Sequence, residues 1–296
     1  MGRFSSENIL VSKVKYWNGV IGIIPTFNNE ESLEFAIRSV AKSSYPIFEL
    51  IVVDDGSKTK YSIFIIESLK KKIKFSLLYK RKKNGGPSSA RNVGINIARG
   101  DWIAFLDADD LMITSSIESK FQHLEQCKNS KKIAGIYGSF IWSTTKLVQP
   151  FNENIEPISR DHIGVMGKVP GGAPSYIFKK NALKSIGGFD EKLIYNEDFD
   201  LLLRLIKSGY QLVGTNKPGF VRNIQENSLT RASVPLSLKG GRLFLKKAYR
   251  ERLLGKYEIF KRLLINYLIT IKDFYKKMFV TQSKKENRKD YEKNSS

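Results

Sequence analysis

Cysteine occurs once in the 296 residues, as Cys127. A disulfide within the chain and a cysteine-built zinc site are both excluded, and the composition suits a reducing compartment. Histidine is nearly as scarce. His123 and His162 show no metal-ligand spacing, which leaves acid–base chemistry to carboxylates. Long apolar runs are missing as well: the longest, Leu263 to Ile271, falls far short of the ~20 residues that a bilayer span needs. Met1 to Gly19 has no apolar core of signal-peptide length. Met1-Gly2 with Ser6 fits the myristoylation pattern, a match short enough to arise by chance. Neither familiar phosphate loop is present, G-x-x-x-x-G-K-[ST] or G-x-G-x-x-G.

Acidic residues are the last shortage: 29 Asp and Glu face 50 Lys and Arg, a formal charge of +21. Such an excess calls for a polyanionic neighbour, either nucleic acid or an anionic membrane surface. Residues 240–296 hold 16 Lys/Arg against 6 Asp/Glu and so supply about half of it. The hydrophobic share of 41% is that of a globular chain, so disorder is not the default reading.

Short β-rich runs alternate with helical patterns through the first half. Val20–Ile24, Glu49–Val53, Phe75–Tyr79 and Trp102–Leu106 read as buried strands, and Glu30–Lys42, Tyr61–Lys71 and Ser88–Arg99 as helices. This order predicts an α/β fold, a mostly parallel sheet with helices on both faces. A helix near Ser115–Gln126, a strand Ile133–Ser139, a helix near Asp198–Lys207 and a strand near Gln211–Gly214 follow. Gln149 to Gly188 is rich in Pro and Gly, with the weak periodicity of binding loops. From about Leu238 the pattern becomes a basic amphipathic helix, with Tyr249, Leu253, Tyr257, Phe260, Leu264, Leu268, Ile271, Tyr275 and Met278 on one stripe and a break at Gly255. That gives two units, 18–237 and 238–296.

In such a sheet ligands bind beyond the carboxyl ends of the strands, and the unusual residues fall there. The first strand is followed by Pro25-Thr26-Phe27-Asn28-Asn29-Glu30 and the second by Asp54-Asp55-Gly56-Ser57. The third leads to Asn84-Gly85-Gly86-Pro87 and Arg91-Asn92, the fourth to Asp107-Ala108-Asp109-Asp110. Taken singly, Asp-Gly-Ser and Asn-Gly-Gly-Pro are turn chemistry, and Asp107-x-Asp109 reads equally as a helix N-cap or as a pair of oxygen ligands for Mg²⁺ or Mn²⁺. Four polar clusters on one sheet edge favour the metal. A cation held there suits a nucleotide diphosphate, with Arg91 beside it. Glu197-Asp198 adds a carboxylate able to accept a proton from an acceptor hydroxyl, although acids at a helix start also complement the helix dipole.

As a set these motifs resemble the family 2 glycosyltransferases of the GT-A (Rossmann-like) fold. The resemblance is carried by Pro25-Thr26-Phe27-Asn28, Val52 to Ser57, Ala90-Arg91-Asn92-x-Gly94, Phe105 to Asp110, Gly187-Gly188-Phe189-Asp190 and Glu197-Asp198, and spans about Val20 to Arg231. It implies a nucleoside pocket lined by Pro25, Thr26, Asn28, Glu30 and Asp54, with Asp54 at the uracil edge. Arg91 would lie near the nucleotide, Asp107 near the ribose or metal, and Asp109 would be the direct ligand of Mn²⁺ or Mg²⁺. Asp198 would be the catalytic base of an inverting transfer, with Glu197, Gly172 and Ala173 on the sugar and acceptor side. Where many relatives carry a histidine late in the domain this chain has Gln225, which cannot do imidazole chemistry.

The resemblance further implies a UDP-sugar donor, glucose or galactose, and a β-linked product. The acceptor would be a glycan on undecaprenyl diphosphate, in lipopolysaccharide, O-antigen or capsule assembly. The enzyme would then be cytoplasmic and peripheral on the inner face of the cell membrane, with the tail on anionic lipid or, alternatively, packed on the domain or in a homodimer. Two rivals come from other classes. A haloacid-dehalogenase phosphohydrolase shares strand plus D-x-D, but would want Thr or Val where Leu111 stands. A nucleic-acid-binding module would explain the charge, but neither zinc spacing nor an RNP-like aromatic motif accompanies it, so no nucleic-acid partner is expected.

Overall fold

A computed structural model describes residues 19–127, 130–144, 172–223 and 234–265. Strands β1 (Val20–Thr26), β2 (Ile47–Asp54), β3 (Ser76–Arg81) and β4 (Trp102–Phe105) alternate with helices α1 (Glu30–Ala41), α2 (Tyr61–Lys70) and α3 (Pro87–Ile97). There follow β5 (Leu111–Met112), α4 (Ser116–Gln126), β6 (Ile133–Trp142) and β7 (Tyr176–Lys179). Helices α5 (Lys180–Ser185) and α6 (Glu197–Lys207), strand β8 (Gln211–Arg222) and helix α7 (Val234–Arg250) come last.

One eight-stranded sheet runs in the order β3-β2-β1-β4-β7-β6-β8-β5. The pairs β1–β2, β1–β4, β2–β3 and β6–β8 are parallel, whereas β7 runs against β4 and β6, and β5 against β8. Helices α1, α2 and α4 cover one face through residues such as Ile37, Leu69 and Phe121; α3, α5, α6 and α7 cover the other through Ala90, Leu183, Leu205 and Phe244. Every residue of β1 is buried: Ile21 and Ile23 enter one core, Val20 and Ile24 the other. A strand covered on both faces shows no polar alternation, which is why it reads as a continuous apolar run.

Chain order reverses across β1 and β4, so the crevice beyond their ends is a topological switch point. Pro25 helps to open it. The Ile23 carbonyl accepts from Leu106 on the β4 side, and Thr26 O accepts from Asp55 on the β2 side. By the two-residue alternation of a strand, Pro25 turns its proton-less nitrogen toward β4, where the ladder has already ended at Ile23–Phe105.

The second half departs from the sequence expectation. Strand β7 and helix α5 lie inside a stretch with no clear periodicity, because a four-residue strand buried on both sides has no pattern to show. Strand β8 continues to Arg222 rather than stopping near Gly214, passing Pro218 at a register shift against β6.

The C-terminal stripe splits. Leu253 joins the core around α6, beside Phe244, Leu245, Ala248 and Leu254 from outside the stripe, while Tyr249, Tyr257, Phe260 and Leu264 are exposed. The break comes at 251–255, with Arg252 at φ 52°, before the chain is helical again over 256–265. Leu268, Ile271, Tyr275 and Met278 lie outside the described residues, as do His162 and Gln225. No helix among the described residues is long and apolar enough to cross a membrane.

Lys120 of α4 is buried, its Nζ donating to Ser116 Oγ at 2.9 Å, without an ion pair among the described residues. Burial pushes its pKa down to about 7. A lysine whose folded pKa is depressed carries a folding penalty that is full below the folded value and fades as pH rises to the unfolded one. Lys120→Met is therefore expected to stabilise the chain by about 1–3 kcal/mol below neutrality, and the gain should shrink toward pH ~10. Thermal melts across pH that show no difference between the two proteins would contradict this.

Candidate active site

The carboxyl ends of the strands enclose a cleft of about 550 Å³, within the usual size of small-ligand sites. Pro25 and Thr26 come from the end of β1, Arg91 from α3, and Asp107, Asp109 and Asp110 from the turn after β4. Gly172, Tyr195, Glu197 and Asp198 also line it, and Arg222 and Asn223 come from the end of β8.

Arg91 is the centre of this arrangement. Its Nη2 donates to Asp107 Oδ1 at 2.8 Å, its Nη1 lies 3.5 Å from Glu197 Oε1, and its guanidinium sits 5.4 Å from the Phe189 ring centroid. The side chain is only 6% exposed, and the acids around it keep it protonated. Phe189 is brought there by the Gly187-Gly188 turn. Gly188 has φ +70°, and a Cβ on it would run into Asn92 Oδ1. That same Oδ1 accepts from Phe189 N at 2.8 Å while Asn92 Nδ2 donates back to Phe189 O at 2.9 Å.

Asp198, in the first turn of α6, turns its carboxylate into the cleft wall. Its Oδ1 is shut off from solvent with no hydrogen-bond partner among the described residues, and a Cβ on Gly172 would lie 3.0 Å from its Oδ2. Desolvation first, then the neighbouring Glu197 charge, push its pKa up to about 7, against the pull of Arg91 and the Ala173 backbone. Glu197 is raised too, chiefly by burial.

In the turn after β4, burial and the charge of Asp107 raise Asp109 and Asp110, with Arg222 pulling both down. Asn223 holds this turn in place: its N donates to Asp110 Oδ1 and its Nδ2 to Asp109 O, at 3.0 and 2.9 Å. No cage of three or more acid, histidine or cysteine ligands exists among the described residues. The donor set fits a hard cation of another kind, one that takes one or two carboxylates and completes its shell with substrate phosphate and water. Asp109 and Asp110 have no ion pair among the described residues, and an ion there would relieve their crowding.

Of the residues singled out from sequence, Pro25, Thr26, Arg91, Asp107, Asp109, Gly172, Glu197 and Asp198 line one cleft. Thr26 Oγ1 is buried there without a hydrogen-bond partner among the described residues. Four others are placed outside its lining. Asp54 is fully buried behind it, accepting from Ser57 N at 2.8 Å and from the Tyr79 hydroxyl at 2.6 Å. Asn28 accepts from Lys58 N, Glu30 from the Thr59 hydroxyl, and Ala173 is in the core.

Asp55, next to Asp54, lines the cleft instead. Its carboxylate accepts from the Gly85 and Gly86 amides, Asn84 Nδ2 and Lys82 Nζ, so the one anion nest at the start of α3 is filled by the chain itself. Arg222, Asn223 and Tyr195 were missed from sequence. The signal for the first two was the true length of β8, hidden by Pro218.

Residues 23–159 match the family model described as Glycosyl transferase family 2. The chain carries a family 2 glycosyltransferase domain. An uncharacterized glycosyltransferase of Methanocaldococcus jannaschii is 29% identical over 64% of this chain and 65% of its own length. The amylovoran biosynthesis glycosyltransferase AmsB of Erwinia amylovora is 27% identical over 66% of each. This chain thus spans about two thirds of the length of these relatives. Among solved structures, residues 1–349 of S. aureus TarS in complex with UDP-GlcNAc superpose with TM-score 0.64 at 20% identity, covering 82% of this chain and 72% of that one. That likeness shows the GT-A fold, and the family match decides against the haloacid-dehalogenase reading.

Proposed function

We propose that this chain transfers a hexose, glucose or galactose, from a UDP-sugar to a hydroxyl of a lipid-diphosphate-linked glycan, with inversion to a β-linkage. The observation that carries the reading is one cleft in which a shielded carboxylate, Asp198, faces the acids after β4 across Arg91. In the proposed step Asp198 takes the acceptor's O–H proton while that oxygen bonds to the anomeric carbon. The bond from that carbon to the donor phosphate breaks, and the nucleoside diphosphate departs. Glu197 and the Gly172 backbone border the sugar, Thr26 offers its hydroxyl to the nucleotide, and Arg91 holds Asp107 and Glu197 in register. Asp109, with Asp107, would hold Mn²⁺ or Mg²⁺, which when bound neutralises the charge on the leaving diphosphate.

A UDP-sugar is favoured by the TarS complex with UDP-GlcNAc, and a surface-polysaccharide setting by the amylovoran relative. A place on the inner membrane face is favoured by the exposed Tyr257, Phe260 and Leu264 beside Lys256 and Lys261.

Two measurements test the reading. Excess chelator should abolish transfer, added Mn²⁺ or Mg²⁺ should restore it, and Asp109→Ala should stay at least ~10²-fold down in either metal. Full activity in chelator removes the cation from the mechanism. An α-linked product from an α-linked donor, read from the anomeric NMR coupling, removes inversion.

A further inference from the structure

The sheet edge formed by β3 and its covering helix α2 supplies no residue to the cleft lining, yet its charge is strongly one-sided. Residues 58–83 carry ten Lys or Arg against a single acid, Glu67. Lys70, Arg81 and Lys82 are paired with Glu67, Asp54 and Asp55. The other seven, Lys71 and Lys72 among them, have no ion pair among the described residues. Between these cations stand aromatic rings. Phe64 is 66% exposed and Tyr61 56%, and Phe35 on the adjoining α1 is 65% exposed. They are not half-finished core, because α2 already buries Ile65, Ile66 and Leu69 on its inward face. Exposed aromatics among unpaired lysines mark a surface built for something outside the chain.

We propose that the α2–β3 face docks on an anionic lipid bilayer, with its lysines at the lipid phosphates and Tyr61 and Phe64 in the headgroup boundary. Each cation near such a surface is attracted by its potential, and each ring gains by leaving water. The charge is complementary to no second copy of the same face, which would repel it. Single-stranded nucleic acid is bound in grooves lined by aromatics, whereas these rings project from the outer side of a helix over an edge strand, a form suited to a plane.

The placement has a consequence for the cleft. Thr59, just before α2, donates to Glu30, and Lys58 N donates to Asn28, so the start of α2 is bonded to the loop that follows β1. Docking of this face would therefore hold the loop after β1, which follows the cleft-lining Pro25 and Thr26, near the membrane surface. None of this depends on which sugar or acceptor the cleft uses.

The test uses the full chain and phosphatidylcholine vesicles with or without ~30% phosphatidylglycerol, read by co-sedimentation at low and high salt. Lys71→Glu with Lys72→Glu should weaken binding to the anionic vesicles at least ~10-fold, and Tyr61→Ser with Phe64→Ser by about the same. Melting temperature and transfer to a soluble acceptor should stay as in the parent. If the charge-reversed protein does not fold, the aromatic pair decides alone. Unchanged vesicle binding by a folded variant overturns the proposal. So does a loss confined to Phe260→Ser with Leu264→Ser in the tail, which would place the contact there. Loss of polyuridylate binding with vesicle binding intact overturns it in favour of nucleic acid.

Discussion

Asp198→Asn is expected to lower kcat by about 10²–10⁴-fold while donor binding survives, the range spanned by a positioned general base. The substitution keeps the shape and an oxygen able to accept from the Ala173 backbone, and removes only the ability to take a proton. The pH dependence is the more specific reading. A carboxylate raised to about 7 must lose its proton before it can act, so the parent's rate should rise with pH through neutrality. The residual rate of the variant should lack that limb. Stability should move the other way. A carboxyl whose folded pKa lies above its unfolded one favours the fold below the unfolded value and loses that contribution as pH rises through the folded one. Asn has no charge to desolvate, so the variant should melt higher than the parent at alkaline pH, activity having been held at the expense of stability. A near-parental kcat, or an unchanged acid limb, removes Asp198 from the role of base.

Strands β1 to β4 were legible because each is a short apolar run that ends in a polar cluster, and the order of the helices between them leaves only a parallel sheet. The clusters marked the cleft for the same reason, since strand ends on one edge must meet. What pattern could not show is which neighbour of a pair turns inward. Asp54 and Asp55 are adjacent, yet the first is spent on Ser57 and Tyr79 behind the wall, and the second fills the nest at Gly85 and Gly86. That choice depends on the facing of the last residue of β2, which no periodicity records. The charge of Arg91 and its place after the third strand point to the nucleotide; its grip on both Asp107 and Glu197 links positions 16 and 106 residues away, beyond the reach of any local pattern.

The C-terminal segment shows the same limit on a larger scale. A stripe at helical spacing says that one face is apolar, not what covers it. The structure divides the stripe between core and solvent, and Lys247, counted in sequence as one more cation of a basic tail, lies 2.7 Å from both Asp190 and Asp200. Its charge is used to tie α7 to the two segments that flank Asp198. Deleting residues 240–296 would remove core side chains and this tie together, so point substitutions at Phe260 and Leu264 are the cleaner probe of the exposed part.

Arg91→Met is expected to damage fold and activity together. Methionine keeps much of the packing volume and contact with Phe189 but leaves Asp107, Glu197 and Asp198 around a site with no cation. Breaking a buried pair by removing one partner costs about 3–5 kcal/mol. Asp107 is 35% exposed and partly screened by water, so the lower end, about 3 kcal/mol, is the better expectation here. The charge of Arg91 lowers the pKa of both Glu197 and Asp198, so its removal pushes both higher. The acid limb of the rate profile should therefore move to higher pH, with kcat near neutrality down by about 10²-fold or more. Arg91→Lys restores the charge without the planar fork that spans Asp107 and Glu197, and should recover the position of the limb better than the rate. A methionine variant with the parent's melting temperature and acid limb would show that Arg91 is not the group that holds these acids.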